Sequence, residues 1–160
     1  MRLILAAATA AFLLSAAPAA AQSVSIADPA VFRAKLQAMG YAPGPLTKKD
    51  SVPEFEIEVD GFGTTLRMQG CDKGKACKYI TLVASYSDIL NAPAPWIQQM
   101  NDEFDLLRVG TNDSGQLYMF GAYVIEGLPE RELRRILDFW AADTNEIGQE
   151  AISKGYTTQK

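Results

Sequence analysis

Histidine is absent from this chain, and that one absence removes a large share of enzyme chemistry. Ser-His-Asp and Cys-His nucleophilic sites need an imidazole, and so do imidazole acid–base catalysis and the zinc and copper sites built on it. There are only two cysteines, Cys71 and Cys77, too few to close a zinc site without histidine. Long Lys/Arg runs are missing too, and acidic residues outnumber basic ones 19 to 15, which argues against nucleic acid as the main partner. Neither Asn101-Asp102-Glu103 nor Asn112-Asp113-Ser114 has the spaced oxygen ligands, central glycine and terminal glutamate of an EF-hand loop. No metal or cofactor is expected.

What is present begins with an address. Arg2 gives a short positive start, residues 3–14 form a small-and-apolar run, and Ala19-Ala20-Ala21 fits an A-x-A cleavage site before Gln22. Residues 1–21 therefore read as a cleaved secretory signal peptide, with the cut between Ala21 and Gln22. The twin-arginine route needs paired arginines, and Arg2 stands alone. The expected location is the periplasm or the exterior, an oxidising compartment. Downstream, no apolar run approaches the roughly 20 residues of a membrane span, so no stable membrane insertion is expected after cleavage.

The remainder reads as one α+β domain over residues 22–147, followed by a polar C-terminal tail over 148–160. Asp28-Pro29 is an N-cap followed by proline at the first helical position. Phe32, Leu36 and Met39 follow at helical spacing, and Gly40 sits where a left-handed C-cap is wanted. The proline-rich stretch 41–53 permits at most a short edge strand. Residues 54–60 alternate strictly, with Phe55, Ile57 and Val59 on one face and Glu54, Glu56 and Glu58 on the other. A turn at Gly61-Phe62 sets Ile57 against Leu66 and Glu56 against Arg67, and it satisfies both faces. Residues 78–86 read as a third strand.

Ile97, Met100 and Phe104 mark a second helix, and 106–111 with 116–125 a second strand pair around Asn112-Asp113-Ser114-Gly115. Residues 117–124 are apolar on both faces, which suggests a central strand of open register. Pro129 and Glu130 open the last helix, whose stripe is Leu133, Ile136, Leu137, Trp140, Thr144 and Ile147. From Gly148 onward the chain turns polar and is expected to fray. The order is α-β-β-β-α-β-β-α, with about five antiparallel strands and the helices packed on one face.

These segments carry a resemblance. Gly70-Cys71 through Cys77 lies between two strands and is followed by Ile97-Gln98-Gln99-Met100-Asn101. After these come the turn at 112–115, then Gly127-Leu128-Pro129-Glu130 leading into Phe139-Trp140. In that order and spacing the chain resembles the YbjN family of bacterial sensory transduction regulators over most of residues 26–147. The resemblance implies a fold like that of type III secretion chaperones and no enzymatic activity.

The strongest local signal is the pair Cys71 and Cys77, which in an exported chain should form one disulfide around Asp72–Ala76. The chain-entropy model gives such a loop roughly 2.4 kcal/mol. Lys73, Lys75 and Lys78 make it locally basic, either as a solvated tip or as a partner contact. Trp96, beside prolines at a helix start, is a further candidate partner contact, whereas Trp140 on the apolar stripe is core. Glu54, Glu56, Glu58 and Asp60 raise carboxylate-only hydrolysis, but a working pair needs a recess that lifts one pKa. The sequence thus points to an exported, non-enzymatic domain that binds a protein or peptide partner in envelope regulation or stress response, with a homodimer as a candidate assembly. The alternatives are a carboxylate-based envelope hydrolase or a periplasmic inhibitor or structural protein.

Overall fold

A computed structural model describes residues 28–157, so the expected leader over 1–21 and the expected cut between Ala21 and Gln22 lie outside the described residues. In chain order the elements are α1 (Pro29–Ala38), β1 (Thr47–Lys49), β2 (Val52–Val59), β3 (Phe62–Gln69), β4 (Tyr79–Leu90), α2 (Ala94–Glu103), β5 (Arg108–Thr111), β6 (Gln116–Val124) and α3 (Glu130–Ser153). The strands form one antiparallel six-stranded sheet in the order β1-β2-β3-β4-β6-β5. The strand beyond five is β1, held to three residues by the prolines around it. The α+β class and the antiparallel sheet are as the sequence pattern requires.

α1 starts as its sequence dictates. The Asp28 carboxylate accepts from the Ala30 N–H at 2.8 Å, with Pro29 in the first turn. That backbone bond, helped by Lys75, holds the Asp28 carboxyl below its ordinary range.

The β2–β3 hairpin keeps the expected faces but not the expected register. Its turn is Asp60-Gly61, with φ of 47° and 84°, because two positive-φ residues give the twist that a two-residue hairpin favours. Partners therefore shift by two positions: Ile57 faces Thr64, Phe55 faces Leu66, Glu56 faces Thr65 and Glu54 faces Arg67. A slip of two leaves every side chain on its original face, which is why hydrophobic patterning alone could not detect it.

Beneath the sheet lies α3. Leu133, Leu137, Trp140, Ala141, Thr144 and Ile147 are buried against Phe55, Ile57, Leu66, Ile80, Leu82 and Met119. Two polar groups enter this core and both are satisfied. The Trp140 indole donates to Thr64 Oγ1 at 3.0 Å, and Thr144 Oγ1 donates to the Trp140 carbonyl at 2.7 Å.

The expectation of a frayed tail from Gly148 is overturned. α3 continues to Ser153 with Gly148 and Ala151 buried, and Leu90 N–H donates to the Tyr156 carbonyl at 3.0 Å. Gly148 is a point of close approach, not a stop signal. A Cβ there would sit 2.9 Å from the Tyr86 ring, whose hydroxyl donates to the Thr144 carbonyl at 2.8 Å. Burial, reinforced by Asp88, pushes the Tyr86 phenol up to about 12. Helix propensity favours alanine over glycine by about 1 kcal/mol, yet overpacking against a tethered ring costs about 1–3 kcal/mol. Gly148→Ala should therefore destabilise the domain by up to about 2 kcal/mol, the excess of overpacking over propensity. In a Tyr86→Ala background the same change should stabilise it. Urea denaturation of the two pairs measures this reversal of sign, and stabilisation in both backgrounds would reject the packing account.

Trp96, expected among the candidate partner contacts, is buried instead. It is 5% exposed, donates to Glu150 Oε1 at 3.0 Å, and meets the Tyr156 ring edge-on at 5.4 Å between centroids. The reason is the longer α3: its last turns and the segment after it close over the start of α2.

Candidate functional site: the uncovered face of the sheet

One face of the sheet is sealed by the helices; the other carries side chains with no helix above them. Along β4 and β6 the outward residues are Tyr79, Thr81 and Val83, then Tyr118, Phe120, Ala122 and Val124, partly or fully exposed. Phe120 is 38% exposed and Val124 70%. All of these outward residues but Val124 form, with Arg67 and Gln69 of β3, a shallow groove of about 510 Å³. Tyr118 and Phe120 stack at 6.2 Å between centroids. The Tyr118 hydroxyl lies over Gly110 of β5, where a Cβ would stand only 2.9 Å away. The groove floor is thus a packed aromatic surface rather than a set of loose side chains.

Charge is graded across this face. On β2, Glu54 pairs with Arg67 at 3.0 Å, while Glu56 accepts from the Thr65 hydroxyl at 2.7 Å. Glu56 and Glu58 are exposed, and among the described residues neither forms an ion pair. At the opposite margin stands Arg108, whose guanidinium donates to the carbonyls of Leu107 and Phe104 at 2.9 and 3.3 Å. Of the carboxylates that raised the hydrolase reading, Glu54 and Glu56 line a shallow open hollow of about 280 Å³ with Lys49, Thr65 and Arg67, where Glu54 is already paired with Arg67.

Both sheet edges are guarded. At β5, Asn101 of α2 brackets Val109: its amide donates to the Val109 carbonyl at 3.0 Å and its side-chain oxygen accepts the Val109 N–H at 2.8 Å. The side chain stands in for a neighbouring strand and occupies the backbone groups an incoming strand would use. The opposite edge, β1, is three exposed residues containing Lys48 and Lys49. The sheet therefore presents an open face and little free edge.

The sequence-derived candidates fall at one end of this surface. Cys71 and Cys77 are joined in a disulfide. Lys73, Lys75 and Lys78 are all exposed, and Lys75 reaches Asp28 at 3.4 Å, tying the loop to the start of α1. A second hollow of about 440 Å³ beside the loop is lined by Asp50, Pro53, Gln69, Cys71, Gly74 and Tyr79. Gln69 and Tyr79 line both hollows, so the disulfide loop borders the groove. Sequence reasoning missed the groove itself and the bracketing role of Asn101. The available signal was the stretch 117–124, apolar on both faces, in a chain with too few helices to cover both sides of a sheet.

Among the described residues no helix is long and apolar enough to cross a membrane, and no cluster of ligating side chains suits a metal ion. No family model matches the chain, and no curated protein matches it either. The resemblance to the YbjN family therefore rests on the motifs quoted above. Among solved structures the chain is similar to the Yersinia pestis type III secretion chaperone SycH, crystallised in complex with a stable fragment of YscM2. Identity is 9%, coverage is 76% of this chain and 93% of that one, and the TM-score is 0.45. A likeness at that level says nothing about partner or chemistry.

Proposed function

We propose that this chain is an exported, non-enzymatic binding domain of the cell envelope that docks a protein partner on the uncovered face of its sheet, in a regulatory or stress-response role. The observation that carries the reading is the aromatic groove of Tyr79, Tyr118 and Phe120 on a face without a helix. Exposed, contiguous apolar surface of this kind is uncommon on a protein with no partner, and aromatic side chains are the usual anchors of protein interfaces. The acidic balance and Glu54, Glu56 and Glu58 beside the groove disfavour nucleic acid. Export rests on the leader, residues 1–21.

The test is capture from periplasmic extract on immobilised wild-type protein and on Phe120→Glu. Phe120 points to solvent, so the variant should keep its unfolding midpoint. Loss of an anchoring aromatic should weaken a specific partner by about 2 kcal/mol, roughly 30-fold. A partner that survives Phe120→Glu but is lost on Lys73→Glu/Lys75→Glu would move the docking site to the basic loop.

A further inference from the structure

The uncovered face is complementary to itself. One row of outward residues runs straight across five strands: Glu56 on β2 faces Thr65 on β3, which faces Val83 on β4, then Phe120 on β6 and Arg108 on β5. Among the described residues neither end of the row has an ion-pair partner: it begins at the Glu56 carboxylate, which accepts from Thr65, and ends at the Arg108 guanidinium, which donates to two backbone carbonyls, with Val83 and Phe120 apolar between them. Strands about 4.8 Å apart put Glu56 and Arg108 each about 10 Å from Val83, on opposite sides. A two-fold axis lying between two such sheets, along the β4 direction, superimposes the row on its own reverse. Glu56 of each copy then meets Arg108 of the other, Phe120 covers Thr65, and Val83 meets Val83. Two flanking charges obey the same rule, Lys49 bordering the acidic end and Asp105 the basic end, whereas Glu58, two residues along β2, falls toward Gly110 and stays at the solvated rim.

We propose that a second copy of this chain occupies the uncovered face, forming an isologous sheet-on-sheet dimer centred on Val83 and Phe120. This deepens the docking reading above, on which it rests, by naming an occupant. Self-pairing and any other partner on this face exclude one another, so the dimer is a covered resting form and the monomer the form that binds. Closed two-fold symmetry explains why one row carries both charges, since a surface built only for an unlike partner has no need of its own complement. The patch is about 20 Å on a side, from strand spacing and rise. That is about 400 Å² per copy and about 800 Å² in all, below the roughly 1,200 Å² at which stable interfaces begin, so weak pairing in the upper micromolar range is expected.

Sedimentation equilibrium of the full chain at physiological ionic strength, over a wide micromolar range, tests this directly. Wild type should show a reversible monomer–dimer equilibrium, and Phe120→Glu should abolish it. Glu56→Arg and Arg108→Glu should each weaken pairing by about tenfold or more, because each sets like charges together twice per dimer. The double variant Glu56→Arg/Arg108→Glu should restore pairing to within a few-fold of wild type. Unfolding midpoints of all variants check that the fold is retained. A monomer at every concentration overturns the dimer; the docking reading survives that result if Phe120→Glu still loses a captured partner. A dimer whose double variant fails to recover, or one indifferent to Phe120→Glu, overturns the proposed face.

Discussion

Trp140→Ala should cost the domain about 3–5 kcal/mol, the range for deleting a large buried aromatic, and it is the largest single effect expected here. The indole is fully buried at the middle of α3 and its N–H is held by Thr64 Oγ1 on the strand beneath. Removing it opens a cavity between helix and sheet, and it leaves the Thr64 hydroxyl, itself fully buried, without that donor. A domain of this size is stabilised by only about 5–15 kcal/mol, so about a fifth or more of the total is at stake. Trp140→Phe separates the two contributions. It retains much of the packing and loses the hydrogen bond, for a smaller loss on the order of 1–3 kcal/mol. Urea denaturation of both variants measures the difference. A loss under about 1 kcal/mol for Trp140→Ala would mean that α3 is not seated on β3, contrary to the cavity expectation.

The helices were legible because their signals are local. Asp28-Pro29 caps α1 through its own side chain, and the stripe from Leu133 to Ile147 is buried along α3 as its spacing requires. What escaped the sequence depends on contacts between segments far apart. The hairpin register turned on whether Asp60-Gly61 or Gly61-Phe62 makes the turn, and the hydrophobic pattern is indifferent to a shift of two. Gly148 resembles a helix end until Tyr86 is seen lying against it. Trp96 resembles an exposed aromatic until the end of α3 is seen to cover it. The groove followed the same logic. Outward apolar residues on β4 and β6 become a surface only when the sheet order places those strands side by side. Asn101 stood within a quoted motif, but nothing in its spacing said that its amide would bracket Val109.

The second large effect lies in β2, where adjacent residues should differ sharply. Ile57 points inward, is 2% exposed and packs opposite Thr64. Ile57→Ala should lose about 2–5 kcal/mol through lost burial and the cavity left behind. Glu56, one residue earlier, points outward and touches Thr65 through one exposed hydrogen bond. Glu56→Ala should lose only about 0.2–1 kcal/mol, the scale of a cross-strand pair. The register adds a finer test, because Arg67 lies opposite Glu54 rather than Glu56. A double-mutant cycle on Glu54 and Arg67 should show coupling, whereas one on Glu56 and Arg67 should show little. Chemical denaturation of these variants supplies every quantity. If Glu56→Ala proves costlier than Ile57→Ala, the inner and outer faces are misassigned. If the faces hold but Arg67 couples to Glu56, the turn belongs at Gly61-Phe62. Ile57→Ala and Trp140→Ala should also combine non-additively, since the two side chains meet Thr64 from opposite elements, and a cavity opened by one is shared by the other.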